Sequence, residues 1–90
     1  MVTYDETKRQ INMVKHDGID LAMCESIFDS PMLTKEDTRD AYGEQRLQSL
    51  GWMNNRVVML VWAERATGPH LISCRYGDKH ETKLYFKAFV

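Results

Sequence analysis

Glu64-Arg65 and Arg75 stand where two apolar strands end, and their side-chain types can handle a phosphate ester. A guanidinium offers a planar fork of N–H donors that fits phosphoryl oxygens, and a carboxylate or neutral imidazole can take a hydroxyl proton. The run Val57-Val58-Met59-Leu60-Val61-Trp62-Ala63 leads straight into Glu64-Arg65, and Ile72-Ser73-Cys74-Arg75 follows after a turn. Side chains alternate along a strand, so Ile72 and Cys74 share one face while Ser73 and Arg75 share the other. The first pair reads as core, which leaves Arg75 on a face that can open to solvent. Glu64 and Arg65 point to opposite faces, and an exposed ion pair at a hairpin end is their plainer reading.

Other candidates come from helices. Asn12, Lys15 and His16 stand at i, i+3 and i+4, so they share one face at the close of a first helix. Cations there complement the negative helix end, and the same cluster can serve a phosphate site if it ends beside the sheet. His80 falls in the first turn of a last helix, where the dipole favours a neutral imidazole able to shuttle protons. Cys74 beside a cation has the setting of a nucleophile, but with Cys24 it shows neither metal-ligand nor redox spacing, and packed thiols are the plainer reading. The histidines at 16, 70 and 80 have no metal-ligand spacing, and there is no glycine-rich phosphate loop and no G-x-S-x-G. Nothing in the chain argues for a cofactor.

The elements that must position these residues can be read coarsely. Met1 to Tyr4 alternates as a short strand, and Asp5 caps a helix that Gly18 stops. Asp20 caps a second helix in which Leu21, Cys24, Ile27 and Phe28 recur, ended by Ser30-Pro31. Residues 34–44 are polar and read as a surface loop. Gln45 to Gly51 is a weak strand, Asn54-Asn55 a turn, and Val57 to Arg65 a central strand, apolar on both faces. Thr67-Gly68-Pro69 turns the chain into a further antiparallel strand, Leu71 to Arg75. Asp78-Lys79-His80-Glu81 has the spacing of a capping box and opens a final helix through about Phe86. The expectation is an α+β fold with two N-terminal helices, a three- to four-stranded mainly antiparallel sheet and a C-terminal helix.

Ninety residues, 43% hydrophobic and 28% charged, suit one globular domain spanning residues 1–90. Residues 1–44 carry five Lys/Arg against ten Asp/Glu, whereas residues 45–90 carry seven against three. That polarity points to a polyanion site on the C-terminal part, or to a merely dipolar surface. The N-terminus has no signal-peptide pattern and the longest apolar run is too short to span a bilayer, so the expected location is the cytoplasm, with no membrane partner.

The order of segments resembles the BrnT family of bacterial type II toxins. The resemblance runs through Tyr4-Asp5, Asn12-Met13-Val14-Lys15-His16, Gly18-Ile19 and Ile27-Phe28-Asp29-Ser30-Pro31. It continues through Tyr42-Gly43-Glu44-Gln45-Arg46, Gly51, Glu64-Arg65, Ile72-Ser73-Cys74-Arg75, Glu81 and Tyr85. It implies a RelE-like fold and a metal-independent endoribonuclease that arrests growth. It also implies a BrnA-like ribbon-helix-helix antitoxin that masks the toxin, operator DNA being bound only through the complex. Asp17 looks inserted relative to the family, and the basic helix after Arg75 is reduced to Lys79, Lys83 and Lys87, so RNA attraction should be weaker and less salt-sensitive than in a more basic relative.

The chemistry so implied is attack of an RNA 2′-hydroxyl on the adjacent phosphorus. Arg75 and Arg65 would stabilise the phosphoryl charge. Glu64 is the first choice of base and His16 or His80 the second, with Lys15 in support. The rival readings are a non-catalytic protein-interaction module and a degenerate toxin retained for operon autoregulation.

Overall fold

The computed structural model describes residues 1–90. The chain runs β1 (Thr3–Tyr4), α1 (Glu6–Lys15), a 3-10 helix (Leu21–Asp29), β2 (Leu33–Asp37), β3 (Arg46–Met53), β4 (Arg56–Arg65), β5 (Gly68–Tyr76) and α2 (Lys79–Phe89). A strand apolar at every position needs both faces covered, and β4 is the middle strand of a five-stranded sheet ordered β1-β5-β4-β3-β2. Its two sets of alternate side chains enter separate cores. Val58, Leu60 and Trp62 pack with Leu21, Cys24 and Ile27 of the 3-10 helix and with Leu71 and Cys74 of β5. Val57 packs with Leu50 and with Tyr85 of α2 on the other face.

The fold is α+β, but three expectations are overturned. The sheet has five strands, not three or four, and it is mixed because β1 pairs parallel with β5. The polar stretch expected as a loop begins with a strand, β2, antiparallel to β3 along Leu33–Asp37. There is one N-terminal α-helix, not two, since Leu21–Asp29 is 3-10. The reason lies in the spacing: the buried residues Leu21, Cys24 and Ile27 recur every third position, the period of a 3-10 turn. Gly51 of β3 permits this segment to lie close, because a Cβ there would come 2.5 Å from Ile27 Cγ2.

A further correction concerns Ile72. Val61 pairs with Ser73 and Trp62 with Leu71, so Ile72 is the extra residue of a β-bulge. The bulge breaks the alternation: Leu71 and Cys74 are fully buried together, and Ile72 is left half-buried. Ser73 and Arg75 keep their shared face.

Candidate active site

Three buried hydrogen bonds from one side chain bring the end of α1 to the sheet. Asn12, only 3% exposed, donates to the carbonyls of Ile19 and Cys74 at 2.9 Å each, and its Oδ1 accepts from the Cys74 N–H at 3.0 Å. β1 covers β5 only at His70 and Leu71. The Asn12 amide therefore completes the β5 edge where no strand does, which satisfies backbone groups that burial would otherwise orphan. Lys15 and His16 follow at i+3 and i+4 and reach the same end of the sheet as Arg75. Past His16 the helix closes on Asp17, which holds a left-handed φ of 54°, and the Gly18 N–H donates to the Met13 carbonyl at 2.9 Å. Those are the features of a Schellman stop, with Asp17 in the position that usually favours glycine.

Lys15, His16 and Arg75 line one cavity of about 310 Å³, together with Arg39, Gln48, Met59, Val61, Ser73 and Glu81. A larger surface depression of about 410 Å³ beside the β3–β4 turn holds no Lys, Arg or His, so charge and not volume distinguishes the candidate. Arg75 is fastened at one end: Nη1 and Nη2 donate to the two Glu81 carboxylate oxygens at 2.8 and 2.9 Å, and Nη1 also donates to the Tyr76 carbonyl at 3.2 Å. Its Nε–H and the remaining Nη2–H make no bond within the chain, which leaves a fixed two-pronged donor edge. Glu81 itself closes the capping box of α2, accepting from the Asp78 N–H at 2.9 Å while Asp78 accepts from the Glu81 N–H at 2.8 Å. The guanidinium holds the Glu81 carboxyl below the usual carboxylate range.

Arg39 reaches the cavity from the polar stretch after β2. Its Nε and Nη2 donate to Asp37 at 2.8 and 2.7 Å, and this pairing holds the Asp37 carboxyl down at about 2. Burial, and then the charges of Lys15 and Arg75, lower the His16 pKa from its ordinary value, while Asp17 opposes them. His16 is therefore a neutral imidazole at pH 7, able to accept a proton next to cations that attract an anion.

The remaining sequence candidates lie elsewhere. Met59 and Val61 face the cavity, so alternation turns Glu64 to the opposite face of β4. Arg65 is on the cavity's face but at the strand's far end, where its Nη2 donates to Glu44 at 2.8 Å. His80 lines a neighbouring cavity that shares Gln48, Met59 and Glu81 with the first. The Cys74 thiol is fully buried, and its neighbour Cys24 and desolvation push its pKa up, which disqualifies it as a nucleophile. Arg39 and Gln48 were not legible as candidates. The only sequence sign of Arg39 is its i, i+2 spacing from Asp37. No three His, Cys, Asp or Glu side chains converge as a metal site.

The sequence model of a family described as the ribonuclease toxin, BrnT, of type II toxin-antitoxin systems matches residues 4–81. The chain belongs to the BrnT family. No curated protein matches it. The BrnT match spans every wall of the cavity, from Lys15 to Glu81, and stops inside the first turns of α2. A ribonuclease toxin must hold a phosphodiester, and the cavity's cations are drawn from both halves of the chain: Lys15 and Arg39 from the acidic half, Arg75 from the basic one.

Proposed function

We propose that this BrnT-family toxin cleaves RNA by metal-independent transesterification in the cavity between the end of α1 and β5. The observation that carries the reading is the Arg75 fork, held by Glu81 with its Nε/Nη2 edge free, in a cavity shared with a neutral His16. His16 accepts the proton of the 2′-hydroxyl, and the freed oxygen attacks the adjacent phosphorus. The 5′-oxygen leaves and collects a proton from the Lys15 ammonium at the same rim. Arg75 binds two phosphoryl oxygens and stabilises the charge that grows on them, with Arg39 adding a second positive charge. The products are a 2′,3′-cyclic phosphate and a 5′-hydroxyl end. Glu64, Arg65 and His80 take no part in this scheme, because they lie outside the cavity.

The toxin's partner is a BrnA-like ribbon-helix-helix antitoxin, and the complex, not the toxin alone, touches operator DNA. The site of action is the cytoplasm; no helix is long and apolar enough to cross a membrane. The decisive experiment is cleavage of a labelled structured RNA in EDTA by the wild type and by His16→Ala. Cyclic-phosphate ends from the wild type alone support the scheme, whereas loss of all cleavage in EDTA ends its metal-independent form. Equal cleavage by a folded His16→Ala protein removes His16 as the base.

A further inference from the structure

A second cavity of about 370 Å³ adjoins the first, with Gln48, Met59 and Glu81 forming the wall between them. Its floor is apolar, built from Leu50 and Met59 of the sheet and Leu84 of α2, and polar groups stand around its edge at Gln48, Lys35 and His80. Leu84 is 40% exposed, an apolar side chain left uncovered beside a charged pocket. The Gln48 side-chain amide makes no hydrogen bond within the chain. It therefore offers both a donor and an acceptor at the junction.

We propose that this second cavity takes the unpaired base of the nucleotide whose phosphate occupies the first, so that Leu50, Met59 and Leu84 enclose the base and Gln48 reads its edge. The inference rests on the phosphodiester reading of the Arg75 cavity and adds to it a determinant of base preference. A nucleobase has apolar faces and a polar rim, and single-stranded RNA is recognised by enclosing unstacked bases and bonding their edges. The cavity has that same division: apolar surfaces across the floor, an unused amide and two basic groups at the edge. Met59 suits a flat partner because its thioether is flexible and polarisable. Continuity with the cationic cavity favours a nucleotide over a protein side chain as the occupant, since one residue of RNA supplies both an anion and an adjoining planar base.

The test is an amide-resolved NMR titration of the full chain with inorganic phosphate and with each of the four nucleoside 3′-monophosphates. Phosphate alone should move the resonances of His16, Ser73 and Arg75. A preferred nucleotide should also move those of Leu50, His80 and Leu84. Leu84→Asp should weaken the preferred nucleotide about tenfold while leaving the phosphate response intact. Gln48→Leu should flatten the differences among the four nucleotides to within about threefold. A response confined to the phosphate cavity for all four nucleotides overturns the base subsite, keeps the phosphate reading and leaves the apolar floor to a protein partner. Silence at both cavities overturns both readings. A preference unchanged in Gln48→Leu overturns the role given to that amide.

Discussion

The side chain of Asn12 pairs with the backbone of Cys74 as a neighbouring strand would, accepting from its N–H and donating to its carbonyl. The same amide also holds the Ile19 carbonyl, so one residue sets the height at which Lys15 and His16 meet the sheet. Asn12→Ala would orphan three buried backbone groups, each worth about 1–3 kcal/mol. Urea unfolding should show a loss of about 3 kcal/mol or more. A loss below about 1 kcal/mol would mean that water takes over these bonds and that the amide is no anchor.

Arg75→Ala removes the free Nε/Nη2 edge. Losing a well-placed transition-state donor costs about 2.7–4 kcal/mol, so cleavage should slow by roughly a hundredfold or more with circular dichroism unchanged. Arg75→Lys should not rescue it, because an ammonium is a point charge without a fork. Full activity in the lysine variant would show that charge alone suffices.

In the proposed scheme Glu81 acts through Arg75 as a positioning residue. Glu81→Gln can still close the capping box, so thermal unfolding should barely move, but the charged clamp on Arg75 is lost. The expected signature is a fall of about tenfold in kcat with little change in KM. An equal loss of stability and activity would reduce Glu81 to a helix cap.

As the proposed base, His16 should set the acid limb of the pH–rate profile. As the base it must be neutral, so activity is retained above its folded-state pKa and falls below it; burial and nearby cations put that pKa under the ordinary 6.5. Asp17 pulls it upward, and Asp17→Asn keeps a residue tolerant of the left-handed turn. The limb of Asp17→Asn should therefore move to lower pH. A limb that does not respond would place the titrating base elsewhere.

Asp37 couples stability to acid. Its folded-state pKa is depressed from 3.8 to about 2 by Arg39, so its contribution is complete above the ordinary carboxylate value and is lost as pH falls from 3.8 towards 2. Asp37→Asn should flatten the stability profile in that window and free Arg39 from its tether. An unchanged acid profile would show that other carboxylates carry the transition.

How much of this was legible in the sequence depended on whether the signal was local. The unbroken apolar run of β4 announced a doubly covered strand, and Asp78 with Glu81 announced the start of α2; both structures follow from neighbouring residues. β2 was illegible because an edge strand exposed along Leu33–Glu36 has no apolar face to betray its period, and its register comes from β3. The bulge at Ile72 was hidden for the same reason, since an extra residue is defined only against the partner strand. In the site, the shared face of Asn12, Lys15 and His16 and the outward face of Arg75 could be read from helix and strand periods. That Arg39 and Gln48 join them, and that Glu64 does not, depends on long-range pairing that no period encodes.

The order of the cavity's walls along the chain has a consequence for its birth. Lys15 and His16 leave a ribosome well before Arg75 and Glu81 are made, and β1 waits for β5 before it can pair. Contacts so distant in the chain must bear their loop-closure cost before any reward arrives. A nascent chain still short of Glu81 therefore lacks the cavity altogether: the proposed anion hold comes together only once both of its distant walls have been made.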